Sequence, residues 1–234
     1  MHGQDLKEAR LRRGWTQRQA AERLGVTQAY LSMAEHGRRA LPSTLVRKAV
    51  ELLHASPTAL PVGEYTVALA SNSDKLRSQL AALGYPGFAH VSGRVRRNPA
   101  EVLLNALNSS DLDTRVVEAL PWLAFTYPDL DWDWAVQHAK LHDLQNRLGF
   151  VTTLASRLGA SPSAGQPTDE PRSRRLKEYV AVLDRSRLAK EDTLCHDSLT
   201  EAERKWLRVN RSAEAVHWNL LTDMKAENLP HGRP

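Results

Sequence analysis

Gln28, Ala29, Ser32 and Met33 recur at helical spacing on one face of a short segment, while Leu31 and Ala34 occupy the other. A glutamine amide can pair bidentately with adenine, and Ala29 or Met33 can touch a thymine methyl. Each good base contact is worth about 1–3 kcal/mol of discrimination. The chemistry that fits these side chains is readout of base edges in a major groove. Gln17, Arg18 and Thr27 precede this face, and Arg38 and Arg39 follow it. Those five are suited to phosphate oxygens, which position a protein on a duplex without reading sequence.

Two short helices must hold this face in place. Thr16 is a good N-cap and forms a capping box with Gln19, so a helix is expected to start at Gln17 with Ala20, Ala21 and Leu24 inward. Ala21 is small because two helices that cross steeply through a short turn leave little room at the crossing. Gly25 closes the first helix in a left-handed conformation, Val26 plugs the turn, and Thr27 caps the second helix.

The pattern T-Q-x-x-x-A-x-x-L-G-V-T-Q followed by L-S-x-x-E-x-G resembles the XRE family of helix-turn-helix regulators, typified by the Cro and CI repressors of phages. The resemblance covers roughly residues 4–60 and implies a five-helix DNA-binding domain. By that resemblance Gln17 is the phosphate-contacting glutamine, Gln28, Ala29, Ser32 and Met33 are the base-facing set, and Glu35 and Gly37 are the helix-closing E-x-G. Met33 departs from the charged or amide side chain that members often carry there.

Charge supports a polyanionic partner. Lys and Arg total 32 against 27 acids, a net +5, and residues 1–60 alone hold ten basic and five acidic side chains. All the excess positive charge therefore lies on residues 1–60, the piece that carries the two-helix stretch, where phosphate neutralisation needs it. Cys195 is the lone cysteine, which excludes an internal disulfide and a multi-cysteine zinc site. With no signal-like start and no run of about 18 apolar residues, a cytoplasmic protein without a membrane span is expected.

Along the chain, residues 4–13 read as a helix with Leu6, Ala9 and Leu11 inward and Arg10, Arg12 and Arg13 outward, Trp15 as a core plug, and Ser43 as the cap of a fourth helix. Residues 1–60 form the first domain, 61–97 an interdomain segment with a weak strand over Tyr65–Ala70, a helix from Asp74 to Leu83 and a basic knot at Arg94, Arg96 and Arg97, and 98–234 a helical-bundle domain. The fold class expected is all-α. In the last domain Asn98 caps a helix, and a second begins near Asp111 and is kinked or restarted by Pro121. The longest helix is expected from Asp131 to Leu158, with Trp134, Leu141, Leu148 and Ala155 recurring at seven. That seam fits a bundle interior or a dimer equally. Residues 159–173 read as an exposed loop, 174–188 as a helix, and Thr200 with Glu203 as a capping box that opens one or two final helices, in which Trp206 and Val209 are among the apolar positions.

Other constellations are weaker. His138 and His142 have a two-ligand metal spacing but no evident third ligand, and Cys195-His196-Asp197 are neighbours that rarely face one another, so no catalytic residue, metal or cofactor is expected. Asp129, Asp131 and Asp133 flank two indoles; Trp134 is expected in the core and Trp132 at the surface, suited to a protein interface with Trp134, Leu141 and Leu148. The reading is a homodimeric repressor of a pseudo-palindromic double-stranded operator, not an enzyme. The alternative is an antitoxin whose second domain also neutralises a partner toxin.

Overall fold

Local caps set the first helices of the chain. The computed structural model describes residues 1–63, 72–93, 96–160 and 169–230. Tyr65–Ala70 and Arg94 lie outside the described residues, as does most of the expected loop at 159–173. Met1–Gly63 and Glu64–Pro234 are two compact units. The first has α1 (Gly3–Arg12), α2 (Gln17–Leu24), α3 (Gln28–Glu35), α4 (Ser43–Leu53) and a 3-10 turn at Pro57–Ala59. Its core is Leu6, Ala9, Ala20, Ala21, Leu24, Leu31, Ala34, Leu45, Val46, Ala49, Val50 and Leu53.

Two expectations about this unit need correction. Arg10 is buried and Leu11 is 56% exposed, the reverse of the predicted faces. Arg10 lies one helical turn from Leu6 and finds a carboxylate inside, whereas Leu11 falls off the Leu6–Ala9 stripe. Ser43 is the first residue of α4 rather than its cap, which is Pro42.

The second unit is helical as well: α5 (Ser73–Ala82), a 3-10 turn at Pro86–Phe88, α6 (Pro99–Leu107), α7 (Thr114–Thr126), α8 (Trp132–Leu141), α9 (Gln145–Ala160), α10 (Glu170–Asp184), β1 (Asp192–Thr193), α11 (Glu201–Asn210), α12 (Ala213–His217), β2 (Leu220–Leu221) and a 3-10 turn at Ala226–Asn228. The two strands pair in parallel over two residues each, so the fold remains all-α. Within the stretch read as a connector, α5 packs on α6 and α7, and Leu76, Leu80, Leu83, Tyr85 and Phe88 are buried. No described helix is long and apolar enough to cross a membrane.

Helix α9 is the element the unit is built around. From Leu144 to Ser156 every residue but Thr153 is buried, and α6, α7, α8, α10 and α12 all pack against it. A helix that is enclosed on all sides has no seam, and the predicted helix from Asp131 to Leu158 is in fact two. The chain breaks at Asp143, which takes a left-handed φ of 57°, and the Leu144 amide closes α8 on the Ala139 carbonyl at 2.8 Å. Gly149 lets the Trp218 indole lie directly on the α9 backbone, and the indole N–H donates to Thr153 Oγ1 at 3.0 Å. Arg147, also on α9, donates to both carboxylate oxygens of Asp192 at 2.7 and 2.9 Å and to the Leu107 carbonyl at 2.8 Å, which ties β1 and α6 to the central helix.

Pro121 sits inside α7, which runs through it to Thr126 instead of restarting. Trp132 and Trp134 exchange their predicted places. Trp132 is buried and stacks on Tyr179 of α10 with ring centroids 4.8 Å apart, while Trp134 is half-buried against His138. Trp206 and Val209 on α11 are exposed, and Leu207 is the residue that α11 buries.

Candidate nucleic-acid interface

Thr16 accepts a hydrogen bond from the Gln19 amide at 3.2 Å while the Gln19 side chain accepts from the Thr16 amide at 2.9 Å, so α2 begins on a complete capping box. Gly25 ends it with φ 76°, the Lys48 ammonium donates to the Leu24 carbonyl at 2.9 Å, and Thr27 caps α3 through the Tyr30 amide at 3.1 Å. Gly37, with φ 71°, follows α3. The tight α2–α3 turn and the buried Ala21 hold the two helices together through small contacts, as the spacing required.

On α3, Leu31 and Ala34 are buried; Gln28 and Ala29 are exposed, Met33 is 41% exposed, and Ser32 is half-buried. The Ser32 carbonyl accepts from the His36 amide at 3.1 Å and lies 2.7 Å from His36 Nδ1, which ties the last turn of α3 to the residue after it. Tyr30 supports the other side, with its hydroxyl donating to the Ala40 carbonyl at 3.1 Å and the Arg39 guanidinium 5.9 Å from its ring. The four predicted base-facing residues therefore belong to one outward face of one short helix.

A buried network fixes that helix from below. Arg10 Nε and Nη2 donate to the two oxygens of Glu35 at 2.6 and 3.0 Å, Arg10 Nη1 donates to the Trp15 carbonyl at 2.7 Å, and Gln17 Nε2 donates to Glu35 at 2.9 Å. Burial pushes the Glu35 carboxyl up, but the hydrogen bonds from Arg10 and Gln17 and the Arg10 charge outweigh it and hold Glu35 below its ordinary value. The start of α2, the end of α3 and the last turn of α1 thus meet on one carboxylate. Glu35 was predicted only to close a helix, and Arg10 was predicted to face solvent. The signal that finds them is positional: Arg10 follows Leu6 by four, and Glu35 follows Leu31 by four, so both fall on core stripes.

Gln17 spends one of its two N–H groups on Glu35, leaving the other and the first-turn backbone amides for a phosphate. Arg18, Thr27, Arg38 and Arg39 are exposed. Among the described residues Arg12, Arg18, Arg38, Arg39 and Arg47 have no carboxylate partner, so the surface charge of this unit is not neutralised internally. Trp15 is half-buried and lies under two further cations, Arg23 at 4.0 Å and Arg13 at 5.5 Å from its ring centre. Such stacking costs the guanidinium little of its charge and holds it at the surface.

The weaker constellations do not assemble. Cys195 is fully buried and donates to the Ala106 carbonyl at 3.2 Å, Asp197 accepts from Thr193 Oγ1 at 2.6 Å, and His196 is exposed, so each has other partners and no hydrogen bond links two of the three side chains. His138 Nδ1 lies 2.8 Å from the Trp134 carbonyl, and no group of three metal-ligating side chains occurs among the described residues. Of the predicted interface residues Trp132 and Leu148 are buried in the second unit, Trp134 is half-buried, and Leu141 is 67% exposed, so they form no common surface.

Residues 6–60 match a family model described as helix-turn-helix. No curated protein and no solved structure matches the chain.

Proposed function

Since residues 6–60 are an XRE-type helix-turn-helix domain of a DNA-binding transcription regulator, we propose that the chain is a cytoplasmic, sequence-specific repressor that binds a pseudo-palindromic operator as a homodimer. The observation that carries this reading is the outward face of α3, bearing Gln28, Ala29, Ser32 and Met33, among arginines that have no internal carboxylate partner. Gln28 supplies the bidentate hydrogen bonds, and Ala29 and Met33 the apolar contact to thymine methyls. Gln17, Arg18, Thr27, Arg38 and Arg39 hold the backbone.

Dimerisation follows from the size of the reading surface. One eight-residue helix reaches too few base edges for useful specificity, and a two-fold pair places recognition helices about 34 Å apart on successive turns. The second unit supplies the pairing contact in this reading. The antitoxin alternative loses one support, because the exposed Trp132 it drew on is buried.

Selection from randomised duplexes tests the reading face. Gln28→Ala is expected to relax preference at one base position by about 1–3 kcal/mol while leaving non-specific affinity nearly unchanged. Arg18→Ala is expected to weaken binding to every sequence and to lower the slope of log K against log salt by about one. An unaltered selected site for Gln28→Ala would refute the assignment of the reading face, and a monomer at micromolar concentration with operator present would refute the dimer.

A further inference from the structure

The second unit has a half-open cavity of about 500 Å³ between α7, α11 and the chain that leaves β2. Val117, Leu207 and Leu221 form an apolar floor and are buried beneath it. That volume lies in the range of small-molecule sites, which pair an apolar lining with a few polar groups.

Packing leaves two features of the cavity unaccounted for. Trp206 stands at its edge with 55% of its surface exposed, although the helix that carries it packs inward through Leu207. A large indole left in solvent at a concave site is an unfilled contact. On the α7 wall Glu118 is half-buried and has no hydrogen bond or ion pair with any described residue, so its charge is not compensated within the described part of the unit. Asp223, on the chain that leaves β2, likewise has no ion pair among the described residues.

The charge of the lining narrows the ligand. Glu118, Glu203 and Asp223 share the lining with Lys225 and His196, and Glu203 accepts both Thr200 bonds of the capping box on Oε2, which leaves its charge and its Oε1 for a ligand. The cavity is therefore anionic over an apolar floor with an aromatic edge. An anionic ligand would meet repulsion from two carboxylates that have no ion pair, and a purely apolar one would cover Glu118 without supplying a counter-charge.

We propose that this cavity binds a small cationic amphiphile, an amine, guanidine or quaternary ammonium carried on an apolar body. The body covers Val117, Leu207 and Leu221, the cation compensates Glu118 and Asp223, and the face of Trp206 adds a cation–π contact. The site lies wholly in the second unit and goes beyond the DNA reading. Its test needs no DNA, and its failure would leave that reading untouched.

Titration calorimetry on the full chain with three matched probes, 4-phenylbutylamine, 4-phenylbutanol and 4-phenylbutyrate, separates charge from shape. The amine is expected to bind saturably at one site, with the alcohol and the carboxylate about ten-fold weaker or worse, the difference given by a partly desolvated ion pair with a cation–π contact. Glu118→Gln is expected to weaken the amine about five-fold and leave the alcohol unchanged, and Trp206→Leu to weaken the amine as well. Asp223→Asn, at an exposed position, repeats the charge test should Glu118→Gln perturb folding. Equal binding of the three probes, no saturable amine binding up to about 10 mM, or an amine preference that survives both charge variants overturns the proposal.

Discussion

Replacing Glu35 with glutamine removes one charge from the network under the recognition helix and leaves Arg10 buried with no counter-charge. Side-chain exposure is 8% for Arg10 and none for Glu35, so solvent cannot take over the missing interaction. Breaking a buried pair by removing one partner costs about 3–5 kcal/mol. A unit of some sixty residues has a total stability of roughly 3–9 kcal/mol, so the loss takes most of it. Hydrogen exchange of the full chain reads the effect locally. Amides of α1, α2 and α3 should lose about 10²- to 5 × 10³-fold in protection while those of α9, in the other unit, keep theirs. A double variant, Arg10→Met with Glu35→Leu, removes both charges and should recover at least half of the loss, because no buried charge is then left uncompensated. The pH dependence has a fixed sign. Glu35 titrates below its ordinary value of 4.5 in the folded state, so its stabilisation is complete above that range and is lost as pH falls through the lower, folded-state value. If Glu35→Gln lowers protection in α1–α3 by less than about ten-fold, the network does not carry the energy assigned to it.

Gly149→Ala places a methyl group where the Trp218 indole lies and should cost the second unit about 1–3 kcal/mol, a fall of about 2–12 °C in its melting temperature. Combining it with Trp218→Leu should cost less than the sum of the two single changes, since the smaller side chain makes room; strict additivity in calorimetry would refute the contact. Burial pushes the Cys195 thiol up to about 12, against the lowering effect of Arg147. At pH 8 only about one thiol in 10⁴ is then the reactive thiolate. An aromatic disulfide reagent should therefore label Cys195 only after urea unfolding, and full labelling of the native protein within minutes would contradict its placement.

What the sequence determined by itself is local. The Thr16–Gln19 box, the left-handed Gly25, the Thr27 cap, the small Ala21 and the basic surplus of residues 1–60 each act within a few residues or by charge alone, so they can be read without knowing what packs where. They delimit the two helices and turn one polar face outward. Tertiary structure decided what depends on a distant partner. Arg10 turns inward because Glu35, 25 positions away, supplies a carboxylate. Trp132 is covered because α10 brings Tyr179 against it. The helix expected over Asp131–Leu158 breaks at Asp143 because α9 must be enclosed by its neighbours instead of continuing a seam. Periodicity gives a side chain its angle around a helix axis. Which angle is the inside is fixed only when other helices arrive, and that assembly also brought α7, α11 and the chain after β2 around one cavity.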